Sequence, residues 1–537
     1  MQNQILLSIN GLSVSFPASG GKRNNVLHQL NLIIHTAEFL ALVGESGSGK
    51  SVTALSILDL LPASASIDEG RMELNSNEIF SLSKDTRHQF RGRKISMIFQ
   101  EPMTSLNPVF TCGQQVMEAI HQDISTEEKR KSSLNWFEKV QLENPERIFN
   151  AYPHQLSGGQ RQRVMIAMAM IGQPKLLIAD EPTTALDTIT QFEIIKLIKS
   201  LQKETGVAVF FITHDLEIVK KAADTIIVLQ NGKLVEQGTA SDIFIHPKSE
   251  YTQELIAAAE LPAKKEADQS LNQKPVLVFE NLKAAYASRK WFSFKNEKTE
   301  ILKELNFKVY KGETLGIVGA SGSGKTTLGK ALLKLIHEVE GNIMYQNQNL
   351  NQLNEKEFRS FRKNIQVVFQ DPYSSLNPKM TIRQILTEPL LVHGFFKNSN
   401  EAETRAIELL KMVGLEEEHL FRYPSEFSGG QRQRICIARA IALEPEILIL
   451  DEAVSSLDVT IQKVVLDLLM DLKEKLQLTY LFISHDFQVV QYISDRILVL
   501  NEGKIEEINS TKKVMKESVS PYTQKLLNAV PSNWAKL

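Results

Sequence analysis

The sequence predicts an α/β protein built from two tandem copies of one parallel-sheet domain, and three observations predict it. The first is the octapeptide Gly44-Glu45-Ser46-Gly47-Ser48-Gly49-Lys50-Ser51, which fits the phosphate-binding pattern G-x-x-x-x-G-K-[ST]. It sits between Phe39–Val43, an apolar run typical of a buried parallel strand, and Ser51–Leu58, which reads as a helix. The second is its return as Gly319-Ala320-Ser321-Gly322-Ser323-Gly324-Lys325-Thr326, again after an apolar run, Leu315–Val318. The third is register. Ser157 and Ser428, Asp180 and Asp451, His214 and His485, and Tyr251 and Tyr522 are each 271 residues apart. A whole domain is therefore duplicated, not a short solenoid repeat.

Glycines let each loop fold around phosphate oxygens with its N–H groups pointing inward, and the helix that follows adds partial positive charge. Lys50 and Lys325 are expected to reach the β- and γ-phosphates of a nucleotide, and Ser51 and Thr326 to ligate Mg²⁺.

The first half opens with Leu6 to Phe16, whose alternation suggests a half-exposed strand, and Val26 to Ile34 is a further strand candidate. Phe16, and Tyr286 at the matching place in the second half, are rings that could stack on adenine. Lys94 to Phe99 reads as a strand ending at Gln100, and a charged helical pattern runs on to about Tyr152. Ser157-Gly158-Gly159-Gln160-Arg161-Gln162-Arg163 then leads into a helix whose Val164–Ile171 portion is apolar enough for the core. Leu176–Ala179 is a buried strand capped by Asp180-Glu181, and Val207–Thr213 is another, ending at His214. Leu261 to Pro275 loses apolar periodicity and reads as a linker, so the expected units are 1–260 and 276–537 around a linker at 261–275. The order then repeats through Gln370, Ser428-Gly429-Gly430-Gln431, Asp451-Glu452 and His485.

An apolar strand ending in Asp-Glu, in a domain with such a loop, points to phosphoryl chemistry. Asp180 and Asp451 are expected to carry charge to Mg²⁺, and Glu181 and Glu452 to polarise an attacking water.

Loop, strand-end glutamine, Ser-Gly-Gly-Gln, Asp-Glu and strand-end histidine, in that order and twice, resemble the ATP-binding-cassette (ABC) ATPase domain. The resemblance covers nearly the whole chain, and Ser-Gly-Gly-Gln followed by Arg-Gln-Arg is its most specific part. It implies two P-loop NTPase cassettes, each with a parallel-sheet core, an antiparallel β subdomain and a helical subdomain. It also implies head-to-tail pairing. ATP on Lys50 and Asp180 would be covered by Ser428, Gly429, Gly430 and Gln431, and ATP on Lys325 and Asp451 by Ser157, Gly158, Gly159 and Gln160. By the same resemblance Gln100 and Gln370 touch Mg²⁺, and His214 and His485 contact the γ-phosphate. One departure is Ala453 where the first half has Pro182, which reads as a local backbone difference.

Glu101-Pro102-x-x-Ser105-Leu106-Asn107-Pro108, Asp371-Pro372-x-x-Ser375-Leu376-Asn377-Pro378 and the closing Pro247-x-x-x-Tyr251-Thr252, echoed at Pro521-Tyr522-Thr523, are similar to the peptide/nickel import branch. That likeness implies an ATPase at the cytoplasmic face of the inner membrane, with two transmembrane permease subunits and a periplasmic or lipoprotein solute-binding protein as partners. A soluble twin-cassette factor acting on the ribosome is the alternative. Its long helical linker does not fit about fifteen residues, and a DNA-maintenance ATPase would need a coiled-coil or zinc insertion.

Composition narrows the classes further. Sixty-one Lys and Arg against 63 Asp and Glu argue against a partner held by bulk charge, so no nucleic acid is expected. Cys112 and Cys436, far apart, can build no disulfide framework, zinc site or iron–sulfur cluster, and read as buried small residues. The first residues lack a signal-peptide pattern, and no apolar run approaches the roughly eighteen residues that span a bilayer, so a cytosolic chain is expected. The stretch from Ala287 to Glu300, with Arg289, Lys290, Trp291, Phe292, Phe294 and Lys295, has no counterpart of similar composition in the first half. It reads as a basic–aromatic loop that could meet lipid headgroups or a membrane partner.

Overall fold

A computed structural model describes residues 4–18, 21–101, 105–184, 186–264, 274–288, 297–396 and 398–534. The chain divides into two compact units, Met1–Glu260 with Pro531–Leu537, and Leu261–Val530.

Each unit holds a six-stranded sheet with the same strand order. In the first it runs Lys233–Thr239, Thr225–Gln230, Phe39–Val43, Ala208–Ile212, Leu176–Asp180, Ile95–Ile98. All neighbours are parallel except the antiparallel edge strand Lys233–Thr239. In the second unit Thr314–Val318 lies between Thr479–Ile483 and Arg496–Asn501, with Ile447–Asp451 and Ile365–Val368 beyond.

The inner strands are mostly apolar because both faces are covered. Phe39, Ala41 and Val43 pack into a core with Trp136, Phe137 and the helix Gly158–Met170; Leu40 and Leu42 pack into a second core with Leu7, Ile9, Leu12 and Val14. Leu177 and Ala179 divide from Leu176 and Ile178 in the same way, and Val209 and Phe211 from Phe210 and Ile212. Burying each such Val, Leu, Ile or Phe side chain contributes about 1.5–3 kcal/mol. The sheet's carboxyl ends are thereby fixed to within a side chain's play, and the candidate residues sit there.

The antiparallel subdomain has the order Arg23–His35, Ile5–Pro17, Ser66–Leu74, Asn77–Glu78, and the second unit matches it with Glu297–Tyr310, Pro275–Ser288, Glu338–Tyr345, Gln348–Asn349. Ile5–Pro17 is half-exposed as its alternation suggests: Leu7, Ile9, Leu12 and Val14 are fully buried on one face, while Ile5, Asn10 and Pro17 are exposed. Its inward residues change parity between Ile9 and Leu12, where a bulge at Gly11 (φ 64°) absorbs the extra residue. Ser66–Leu74 is a strand that its own residue pattern does not signal. Its Asp68-Glu69-Gly70-Arg71 centre has turn chemistry, yet Gly70 (φ 121°) is required because a Cβ there would meet Leu12 Cα at 2.6 Å.

The helical interval resolves into Cys112–Glu118, Thr126–Lys139 and Pro145–Asn150, with Ser125 and Thr111 each closing a capping box. Cys112 and Cys436 are buried, which pushes each thiol up to about 11. At the linker, Lys264 is held within the second unit by Asp495 (2.5 Å) and the Ile493 carbonyl (3.1 Å). The end of the chain, by contrast, belongs to the first unit. Trp534 packs 4.8 Å from Phe192, and its carbonyl accepts from Lys221 at 2.8 Å. Trp291, Phe292 and Phe294 lie outside the described residues, between the paired strand ends Ser288 and Glu297.

Candidate functional site

Each phosphate-binding loop joins the carboxyl end of a central strand to a helix, Lys50–Ile57 or Lys325–Leu332. Gly44 approaches the Leu229 carbonyl so closely that a Cβ would stand 2.2 Å from its oxygen, and Gly319 does the same to Leu500 at 2.1 Å. Gly49 and Gly324 start the helices at φ 103° and 106°, so no side chain caps the first turn. The Ser48 and Ser323 hydroxyls are buried and lack a hydrogen-bond partner. Lys50 Nζ donates to the Gly44 and Glu45 carbonyls, both at 2.8 Å; Lys325 does the same to Gly319 and Ala320, at 2.8 and 2.9 Å. A buried ammonium, an uncapped helix start and an unpartnered buried hydroxyl form a cradle suited to phosphate.

Ser51 Oγ lies 3.2 Å from Asp180 Oδ1 and Thr326 Oγ1 3.1 Å from Asp451 Oδ1. Burial pushes the Asp180 carboxyl up to about 6, with the neighbouring Glu181 charge adding to it and the Ser51 hydrogen bond opposing. Asp451 is raised for the same reasons, with Thr326 opposing. A hydroxyl beside a buried carboxylate is a hard-oxygen donor set, and it fits Mg²⁺. Such an ion would favour the charged form that burial disfavours.

One residue further on, Glu181 and Glu452 leave the strand in the left-handed region, φ 46° and 49°, each held by an N–H bond of 2.9 Å to Ile212 or Ile483. Such a conformation costs a non-glycine residue about 1–2 kcal/mol and here aims the carboxylate. Glu452 adopts it before Ala453 as Glu181 does before Pro182, so the backbone difference expected from that exchange does not arise at the glutamate. Gln100 Nε2 donates to Glu181 Oε2 at 2.8 Å, and Gln370 to Glu452 at 2.7 Å. His214 Nδ1 lies 3.3 Å from Glu181 Oε1 and His485 Nδ1 3.4 Å from Glu452 Oε1. Burial works to raise the glutamate carboxyls and lower the imidazoles. The mutual hydrogen bond and charge outweigh it, holding both glutamates below the carboxylate range and both histidines above the usual imidazole value. Adjacent acids are thus driven apart, the aspartate up and the glutamate down.

The sequence reading missed Thr184, whose hydroxyl donates to Glu181 Oε2 at 3.0 Å. A threonine after Asp-Glu-Pro-Thr carries no motif signal of its own. Its counterpart Ser455 donates instead to the Glu452 carbonyl, at 2.9 Å.

Ser157 and Gln160 are not joined to this cluster by the described contacts. They close a capping box on their own helix, as do Ser428 and Gln431. Gly159 and Gly430 lie under the helix that follows, where a Cβ would meet Thr190 Cγ2 at 2.5 Å or Ile461 Cγ2 at 2.3 Å. Phe16, opposite Asn24, is half-buried against the core. Tyr286, at the same register opposite Thr299, is 44% exposed.

A family model described as ABC transporter matches residues 27–184 and 302–455. The chain belongs to the ABC transporter family. A second model, the C-terminal region of oligopeptide/dipeptide transporters, matches 235–293 and 507–537. The chain is 44% identical to a glutathione import ATP-binding protein, GsiA, of Shigella boydii serotype 4, over 98% of its length and 89% of the relative's. It is 43% identical to GsiA of Escherichia coli K12 over the same shares. A solved complex of an archaeal ribosomal stalk protein with an archaeal ribosome recycling factor covers 93% of the chain, and the chain 90% of it, at TM-score 0.62 and 21% identity; that likeness is one of fold. As a member of the peptide-importer branch of the ABC family the protein binds ATP, hydrolyses it to power transport, and works at the membrane with permease partners. No helix among the described residues is long and apolar enough to cross a membrane.

Proposed function

We propose that this ABC ATPase energises import of peptides or peptide-like solutes from the cytoplasmic face of the plasma membrane. It would drive two transmembrane permease subunits supplied by a separate solute-binding protein. Glutathione, named for the Shigella and E. coli relatives, is the first solute to test. One observation carries the reading: the lysine loop, the hydroxyl–aspartate pair and the glutamine–glutamate–histidine cluster are complete in both units.

In this proposal Gly44–Ser51 and Gly319–Thr326 cradle the phosphates of ATP, and Phe16 and Tyr286 stack on its adenine. Ser157, Gly158, Gly159 and Gln160 cover the nucleotide held by Lys325, and Ser428, Gly429, Gly430 and Gln431 the one held by Lys50. Ser51, Asp180 and Gln100 would hold Mg²⁺ in one site and Thr326, Asp451 and Gln370 in the other. When bound, the ion would neutralise charge on the phosphoryl oxygens. Glu181 and Glu452 accept the proton of the attacking water. His214 and His485 first hold these carboxylates ionised and then turn a cationic edge to the γ-phosphate.

The test is reconstitution of the chain with its permease subunits in proteoliposomes carrying the binding protein. ATP-dependent glutathione or dipeptide uptake, with hydrolysis stimulated by the loaded binding protein, is expected. Hydrolysis indifferent to binding protein and to every peptide solute overturns the proposal.

A further inference from the structure

The segment Pro247-x-x-x-Tyr251-Thr252 and its echo Pro521-Tyr522-Thr523 each send a tyrosine to the phosphate-binding loop of their own unit. Tyr251 lies in the first turn of the helix Glu250–Ala259, and its hydroxyl accepts from the Glu45 backbone N–H at 3.2 Å. Tyr522 lies in the first turn of Pro521–Asn528, and its hydroxyl accepts from the Ala320 N–H at 3.1 Å. The partners are 206 and 202 residues apart in the chain, so folding, not local geometry, brings them together.

The bonded N–H belongs to a particular peptide group. The carbonyl of that same group, Gly44 O, is the one that accepts from Lys50 Nζ at 2.8 Å, and Gly319 O is the one that accepts from Lys325. Each Gly44–Glu45 or Gly319–Ala320 peptide is therefore clamped at both ends, the lysine on its oxygen and the tyrosine on its nitrogen. A planar peptide turns as one body, so the two bonds fix a single angle and polarise one another. The glycine on its N-terminal side removes the Cβ that would otherwise limit rotation. When the lysine moves from Gly44 O to a phosphate, the tyrosine bond remains to hold the peptide plane. An anchor for the C-terminal helix alone would need only the ring, which is already buried for Tyr251.

We propose that Tyr251 and Tyr522 are positioning residues of the two phosphate-binding loops: each hydroxyl holds the first loop peptide in the orientation that receives nucleotide, so the C-terminal segments set nucleotide affinity. This rests on the loops being the ATP sites.

The test is the full-length chain with Tyr251→Phe and Tyr522→Phe, which keep the rings and remove the hydroxyls. One hydrogen bond corresponds to a rise in Kd and KM for ATP of ~3- to 10-fold, with kcat changed less than about twofold and the unfolding midpoint without nucleotide nearly unchanged. Unchanged Kd and KM overturn the inference. So does a joint fall of kcat, affinity and unfolding midpoint, the mark of a packing defect. Lys50→Ala with Lys325→Ala separates the premises. If that variant binds ATP normally, the loops are not the ATP sites. If it loses ATP while the phenylalanine variant binds like the parent, only the tyrosine inference fails.

Discussion

Gln100 donates a 2.8 Å hydrogen bond to Glu181, and Gln370 makes the same bond to Glu452 at 2.7 Å. The glutamine lies two residues beyond the strand Ile95–Ile98 or Ile365–Val368, and the glutamate one residue beyond the paired neighbour Leu176–Asp180 or Ile447–Asp451, so the sheet brings the two together. With the histidine on the other carboxylate oxygen, each glutamate accepts from both sides. A carboxylate has about four acceptor sites on its two oxygens, so a water can join these partners or replace one of them. The glutamine sits on the exposed side of the cluster, beside Phe99 or Phe369, where water can reach the carboxylate.

Removing the negative charge at this point should stop chemistry and spare binding. Glu181→Gln with Glu452→Gln is expected to bind ATP and to hydrolyse it ~10²- to 10⁴-fold more slowly. Filter binding and phosphate release measure the two separately. Normal turnover by this variant would sink the assignment of the glutamates as bases.

Asp180 supplies a pH test. Its folded carboxyl is raised to about 6 from 3.8. A raised folded value means stability that is full below the unfolded pKa and lost as pH rises through about 6. At pH 8 the buried charge therefore costs at most about 3 kcal/mol. Asp180→Asn should raise the unfolding midpoint relative to the parent at pH 8, and the difference should shrink below pH 4. Mg²⁺–ATP binding, which favours the ionised form, should release protons near pH 6 in the parent. Calorimetry in two buffers of different ionisation heat reads that release, and the Asn variant should lose the part due to this site.

Pairing of the units is open to crosslinking. The native thiols are buried and pushed up to about 11, so they will not compete with introduced ones. Ser157→Cys with Ser321→Cys should crosslink when nucleotide is added. Ser157→Cys with Ser46→Cys should not. The reverse result would mean that the signature does not serve the other unit's loop.

How far the fold could be read from sequence depended on how local its causes are. The strands Phe39–Val43 and Leu176–Asp180 are legible because two-sided burial demands unbroken apolar runs. Ser66–Leu74 is not, because its pairing with Ile5–Pro17 comes from a distant segment and its own centre is charged. In the site, the residues carried by motif order come together within each unit: Lys50 with its loop, Ser51 with Asp180, His214 and Gln100 with Glu181. Thr184 and the Tyr251 hydroxyl act through one side-chain orientation each, and nothing in local spacing specifies an orientation. The left-handed turn at Glu181 is equally silent, since glutamate has no preference for it; tertiary pairing with Ile212 imposes it.

Thr184 makes the two sites unequal in a way that kinetics can read. Its hydroxyl is a third donor to the Glu181 carboxylate, whereas Ser455 spends its hydroxyl on the Glu452 backbone. A donor to a carboxylate favours the charged form, so the threonine helps to hold Glu181 down and Glu452 receives no such help from Ser455. Thr184→Val keeps the shape and deletes the donor. In a Glu452→Gln background, where only the Glu181 site turns over, it should move the acid limb of the pH–rate profile upward. Ser455→Ala in a Glu181→Gln background should leave that limb in place. Equal movement of both limbs, or movement of neither, would mean that Thr184 is not a partner of the base in turnover.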